Sequence, residues 1–359
     1  MKIAVIGGGL FGCTIAAQLK SKHDVHLFEE KDSILRCASF VNQYRLHRGY
    51  HYPRSLQTMV ECRRAATQLT RRWPEVINSG GRHIYAIARN DSRTRPDEYL
   101  AALDSADLSY QITSFGDILN PETVEMAVEV QEDWLDVSAL RGRMWRELRG
   151  VTVNLNAEWD YSLRDDFDLI VLATYAKTNE AAMKLDCAIE PFQYEVVEKP
   201  VIQMPSGWEG LGVVVMDGPF CSVDPFGHSN LHVMGHVTEA ILHRSVGPEP
   251  EIPEGVAQLI NAGVVTDKGE ASSVWSMIQS GSKWIPTLKF AKYIGSMFTV
   301  RAVLPDVDAT DERPTIVSKL DDQVIRVFSG KLAGCIQAAE EVENIADGSD
   351  VLVGRRHAA

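Results

Sequence analysis

The 359-residue sequence predicts an α/β protein: a Rossmann-type dinucleotide-binding domain, discontinuous along the chain, with an inserted antiparallel β-sheet domain that also carries helices. Three observations carry this prediction. Residues Lys2 to Glu29 spell a strand, a glycine turn, a helix and a second strand ending in an acid. Two further strand-like runs, DFDLIVLAT from Asp166 to Thr174 and VIRVFSGK from Val324 to Lys331, repeat parts of that logic far downstream. Between them lie short β-branched runs of a different character.

In the opening motif Gly7, Gly9 and Gly12 follow the apolar run Ile3 to Ile6 and open a helical pattern from Leu10 to Leu19. Gly7 allows the tight turn, Gly9 lets a pyrophosphate approach the backbone, and Gly12 lets helix and strand pack closely. Phosphates then meet the N–H groups of a helix N-terminus. Glu29 closes the second strand 22 residues after Gly7, the distance expected of an acid that binds ribose hydroxyls. A carboxylate there would repel a 2′-phosphate, which leaves FAD or NAD.

Composition bounds the rest. The length allows two domains, and 45% hydrophobic content supports a sizeable core. With 36 basic against 49 acidic residues the net charge is −13, which disfavours nucleic acid and anionic membrane as partners. The six cysteines contain no CxxC pair, so neither a zinc site nor a disulfide framework is expected and a cytoplasmic location is the default. The motif strand begins at once and no run approaches 18 apolar residues, so no signal peptide or membrane span is expected. A small-molecule substrate is the expected partner, and a homo-oligomer is compatible with these features.

The remaining elements follow from pattern. Leu140 to Leu148 reads as an amphipathic helix, Val151 to Leu155 as a strand, and Phe167 to Thr174 as a buried parallel strand. Val324 to Lys331 leads through a Gly-Lys turn into a helix over Leu332 to Ile345, so Gly330 is placed to face a cofactor and Lys331 to neutralise phosphate or flavin charge. The inserted runs are Tyr194 to Met204, Gly212 to Asp217 and Asn230 to Val237, separated by Pro/Gly turns and read as an antiparallel meander. Arg82 to Ala88 and the helix around Asp97 to Leu103 join them, and Ser272 to Ile294 reads as mainly helical. These segments divide the chain into 1–80, 135–190 and 296–359 for the nucleotide domain and 81–134 and 191–295 for the substrate domain.

The GGGLFG turn with Glu29, the DLIVLAT strand, the inserted sheet and the SGK turn together resemble the D-amino-acid oxidase and glycine oxidase superfamily of FAD enzymes, in order over the whole chain. The resemblance implies a Rossmann-type FAD-binding domain, an extended FAD, and a substrate held at the seam between domains while a C–N or C–O bond beside a carboxylate loses hydride to flavin N5. It implies cofactor contacts from Gly7, Gly9, Leu10, Phe11, Gly12, Glu29, Glu30, Asn42, Arg45, His47, Thr174, Tyr175, Gly330, Lys331 and Leu332. Substrate contacts are implied for Tyr52, Tyr194 and Arg301.

Asn42 to Ser55 packs three Arg, two His and three Tyr into one span, at the position that passes beside the flavin in this superfamily. Arg45 and His47 are therefore catalytic candidates. An extended span would place Arg45, His47, Gly49 and His51 on one face and Leu46, Arg48, Tyr50 and Tyr52 on the other. Arg301 resembles the family's carboxylate clamp, a task that suits a planar guanidinium. The sequence departs from the family pattern at Ala302, Val317 and Tyr175, which points to an outlying branch. Oxidation of an amine that arrives neutral needs no base, whereas alcohol oxidation wants one near the carbinol, a role for His47 or His51. The alternative is an FAD enzyme of another type, performing sugar-nucleotide rearrangement or flavin monooxygenation.

Overall fold

The computed structural model describes residues 1–267, 271–305 and 313–348. In chain order the strands are β1 (Lys2–Ile6), β2 (Asp24–Phe28), β3 (Ile77–Asn78), β4 (Arg82–Ala88), β5 (Tyr110–Ile112), β6 (Val124–Val130), β7 (Trp134–Leu135), β8 (Thr152–Asn154), β9 (Leu169–Leu172), β10 (Phe192–Gln203), β11 (Leu211–Met216), β12 (Cys221–Pro225), β13 (Leu231–His236), β14 (Ile241–Gly247), β15 (Lys292–Val303), β16 (Ile316–Lys319) and β17 (Val324–Phe328).

The first sheet has six strands in the order β16-β17-β9-β1-β2-β8. Four of its five pairings are parallel and the edge pair β16–β17 is antiparallel, and its strands come from three distant stretches of chain. The fully buried β9 (LIVL) and β17 (VIRVF) are short apolar runs, as parallel strands covered on both faces require. The helices Leu10–Leu19, Leu56–Arg72, Val137–Glu147 and Cys335–Ala346 pack on one face, sharing a core with Ile3, Val5, Leu27 and Ile325.

The second sheet has nine strands: β14-β10-β13-β12-β11-β4-β6-β5, with β15 paired along the length of β10. Of the three runs expected to form a meander, β10 and β13 pair antiparallel, but β12 lies between β13 and β11, and the sheet is not wholly antiparallel because β4 and β11 run parallel. The expected boundary at residue 296 falls inside β15, whose twelve residues all pair with β10 or flank that pairing. Ser272 to Ile294 is helical only over Val274–Gly281 and the 3-10 turn Pro286–Phe290, since Lys292 already opens β15. β6, β12 and β14 escape the sequence reading: their alternation is interrupted by charged and polar residues that face the seam or solvent. No described helix is long and apolar enough to cross a membrane.

The glycine turn fixes how the first helix meets β1. Gly7 sits at φ +104°, a region L side chains rarely adopt. A Cβ on Gly12 would lie 1.9 Å from the Gly7 carbonyl oxygen, so only glycine lets helix and turn touch. Gly12→Ala should therefore destabilise the fold by about 3 kcal/mol, at the upper end of overpacking penalties, read as a clear fall in Tm.

Candidate active site

The helix Leu10–Leu19 starts at Gly9 with no cap from the N-cap residue itself and no acid in its first turn, so its N-terminal dipole lies at the glycine turn. A Cβ on Gly9 would approach only Ser39 Oγ, at 3.3 Å. Glu29 is buried beside this turn, accepting from the Gly8 N–H at 2.7 Å and the Lys31 N–H at 2.8 Å, and burial raises its carboxyl above the usual range. Ser39, which the sequence reading missed, joins this cradle by accepting from the Leu10 N–H at 2.9 Å.

Several expected cofactor contacts are otherwise engaged. Leu10 and Phe11 bury their side chains in the core, leaving only backbone to the cradle. Glu30 pairs with Lys177 at 2.6 Å and Lys31 at 3.3 Å. Asn42 spends its amide on its own loop, donating to the Ala38 and Ser39 carbonyls and accepting from the Tyr44 N–H. The Thr174 hydroxyl donates to Thr178 Oγ1 at 3.3 Å. A Cβ on Gly330 would strike the Arg313 carbonyl oxygen at 1.9 Å, so this glycine serves close packing against Arg313–Pro314. Leu332 packs against the core.

The polar span after the first crossover is not extended. Tyr44 and Gly49 have φ of +58° and +112°, and the Tyr52 N–H bonds back to the Gly49 carbonyl at 3.0 Å. This turn gathers residues expected on opposite faces: the His47 and His51 rings lie 6.0 Å apart, and Tyr52 is 5.7 Å from His47 and 5.2 Å from His51. Lys331 reaches across from the end of β17, donating to Tyr52 Oη with its ammonium 4.3 Å over the Tyr52 ring. Lys331 also borders a cleft shared with Tyr175, Arg301, Arg313 and Ser329. Tyr175 holds φ at +52°, the conformation glycine favours, and so keeps the backbone path while turning a phenol toward this cleft.

Beneath the imidazoles lies a buried charged network. Arg45, in a bridge with Trp134, lies 3.4 Å (Nε) from Asp224 Oδ1 and donates to Tyr85 Oη at 3.3 Å, and Tyr85 in turn donates to Glu132 Oε2. His83 is stacked between Tyr85 and Trp134, with ring centroids 5.0 and 4.8 Å away. Burial opposes charge on Arg45, but Asp224, Tyr85 and Glu132 together hold it above the usual guanidinium range. Burial pushes Glu132 up to about 7 and His83 down to about 3, the latter helped by Arg45. Burial, Arg45 and Lys331 hold His47 and His51 well below the ordinary imidazole range, so both are neutral, and their buried Nδ1 atoms have no hydrogen-bond partner among the described residues. Lys331 is pushed down to about 7 by burial and Arg45.

Arg301 is not a free clamp. It faces Glu195 across β15 and β10 and donates to its carboxylate, which Arg244 also holds at 3.0 Å. Burial opposes this charge on Glu195, yet the Arg301 guanidinium keeps its carboxyl below the usual range. Tyr194 lies on the opposite face of β10 from Glu195, and its hydroxyl donates to the Pro248 carbonyl at 2.8 Å, which removes it from the substrate wall. Among residues missed from the sequence, His83, Tyr85, Glu132, Lys199 and Asp224 shared one signal: polar or charged positions at or inside β-branched runs. A separate cavity of about 350 Å³ between Asn90, Phe220, His236 and Lys283 contains no expected residue, and its His236 is already hydrogen-bonded to Ser280 and the Glu239 N–H.

Residues 2–158 match the family model described as DAO, FAD dependent oxidoreductase. Among curated proteins the chain is similar to the FAD-dependent monooxygenase FPY4 of Fusarium mangiferae, 28% identical over 96% of this chain and 91% of that one. It is also similar to the FAD-dependent monooxygenase kojA of Aspergillus flavus, 25% identical over 95% and 85%. Among solved structures, glycine oxidase from Geobacillus kaustophilus has a TM-score of 0.70 at 14% identity, covering 99% of both chains. L-α-glycerophosphate oxidase from Mycoplasma pneumoniae with FAD bound has a TM-score of 0.70 at 13% identity, covering 96% and 94%. The cofactor is FAD, and the helix start, the glycine cradle that any Cβ would fill, and the inward Glu29 fit its diphosphate and ribose.

Two outcomes follow from the network. Arg45→Met strands Asp224 and Glu132 in the interior and should destabilise the protein by about 3 kcal/mol or more, measured by denaturant unfolding. His83 is neutral when folded but takes a proton below about 6.5 when unfolded, so its contribution is full above that pH and lost as pH falls toward 3, at up to about 1.4 kcal/mol per unit. Glu132 acts with opposite sign between 4.5 and about 7, holding a proton that the unfolded chain releases. His47 and His51 add to the His83 term, so net stability should fall on acidification below 6.5, and His83→Gln should flatten that fall in a Tm series from pH 7.5 to 5.

Proposed function

We propose that this FAD-dependent oxidoreductase oxidises a C–O bond, taking hydride from the carbinol carbon of a small polar substrate held at the seam of the two sheets. One observation carries the reading: His47 and His51 lie side by side as neutral imidazoles, each with a buried Nδ1 that has no hydrogen-bond partner among the described residues. FAD, when bound, supplies the two-electron acceptor. A neutral imidazole takes the hydroxyl proton, which makes hydride loss from the carbinol carbon favourable. Burial, with Arg45 and Lys331, keeps the imidazoles unprotonated in the free protein, so each has a nitrogen lone pair to accept the proton, although the same groups lower their basicity. An amine arriving neutral would need no such base, and the guanidinium that would clamp an amino-acid carboxylate, Arg301, is already engaged by Glu195.

Flavin monooxygenation is the second reading, favoured by the names of FPY4 and kojA, which this chain matches over nearly its full length. Anaerobic mixing with panels of hydroxy compounds, amines and NAD(P)H separates the readings. Bleaching of the flavin by a hydroxy compound is expected, with His47→Asn or His51→Asn slowing it about 100-fold or more. Bleaching by NAD(P)H alone would transfer the assignment to monooxygenation, and bleaching by amines alone, unaffected by either substitution, would refute the proposed base.

A further inference from the structure

Lys199 is the cation of the seam that the network leaves without a partner. Glu195, Val197 and Lys199 alternate onto one face of β10, where Glu195 faces Arg301 and Lys199 faces Met297 on β15. Ion pairs stand on either side: Arg301 with Glu195, and Arg45 with Asp224. Each guanidinium in this row therefore has its carboxylate. The Lys199 side chain is only 7% exposed, yet its ammonium makes no hydrogen bond or ion pair among the described residues. The charged groups that face it are Arg301 and Arg45, which disfavour its proton, and Asp224 and Glu195, which favour it; burial is the largest influence, and together they bring the amine down to about 7. An incoming acceptor would give this ammonium a contact that the described residues do not supply.

We propose that Lys199 determines substrate specificity by binding the carboxylate of a hydroxy acid, the acid whose carbinol meets His47 and His51. The proposal rests on the carbinol reading above and supplies its substrate class. Arg301 already spends its Nη2 on Glu195, and Lys331 is already bonded to Tyr52. Arg244 and Arg301 share the single carboxylate of Glu195, so a protonated Lys199 adds to a row that is already positive, and an incoming carboxylate would offset that charge. Binding would also draw a proton onto the amine.

The test uses the flavin-replete full chain in its oxidised state and reads binding, not turnover. Acetate, glycolate, lactate and benzoate are titrated at pH 8 while the visible flavin spectrum is followed, and calorimetry in two buffers of different ionisation enthalpy counts protons. The expected result is a spectral shift with proton uptake for at least one carboxylate, and a Kd weakened about tenfold or more by Lys199→Met, as for loss of a charge-assisted contact. Lys199→Arg should stay within a few-fold of the parent, and Lys199→Met should keep the parent's flavin content and Tm. An unchanged Kd in Lys199→Met would overturn the proposal, as would a lowered Tm with unchanged Kd, the mark of a structural counter-ion. Loss of binding in Lys331→Met but not in Lys199→Met would overturn it too. If no carboxylate binds the parent while neutral alcohols still bleach the flavin, Lys199 fails and the carbinol reading stands.

Discussion

A buried guanidinium organises the place where the two sheets meet. Arg45 enters the interior from the loop that leaves the first sheet after β2, and it ends against Asp224 of the second sheet. A charge in that position is tolerable only if its partners are supplied with good geometry. The bridge between Arg45 and Trp134 and the bond from the Leu135 N–H to the Tyr44 carbonyl set the loop beside the segment that carries Glu132. Tyr85 then closes the chain from Arg45 to Glu132, and the stack of Tyr85, His83 and Trp134 fills the space around it.

The chemistry of the site follows from that burial. A fixed positive charge under two imidazoles, with Lys331 beside them, keeps both neutral in a region where water is scarce. Neutral imidazoles are proton acceptors, whereas the same rings in water at about pH 6.5 would be half protonated. The arrangement therefore keeps both imidazoles neutral at a cost in stability on acidification.

The family fold is retained while the polar inventory of the seam is rearranged. The backbone at Tyr175 keeps a left-handed conformation, but a phenol now lines the cleft. The guanidinium of Arg301 persists on β15, but Glu195 sits directly across from it and takes its charge. Shared fold with glycine oxidase and glycerophosphate oxidase is thus compatible with a different demand on the substrate.

The opening βαβ unit was legible in sequence because its geometry is local: Gly7, Gly12 and Glu29 act on neighbours within one turn, one helix and one strand of each other. The middle and final parallel strands were legible as apolar runs, and Arg45 and His47 were flagged by the density of polar aromatic residues around them. Tertiary structure alone decided that Gly49 would fold that span so that Tyr52 joins His47 and His51, that Arg301 would pair with Glu195, and that the Tyr194 hydroxyl would donate to the Pro248 carbonyl. Two-residue alternation says which residues share a face of a strand, but the identity of the opposing strand depends on register and on contacts between residues more than a hundred positions apart, such as Glu195 with Arg301 or Arg45 with Asp224. Local pattern therefore determined the cofactor-binding unit, and long-range pairing decided which charges reach the substrate.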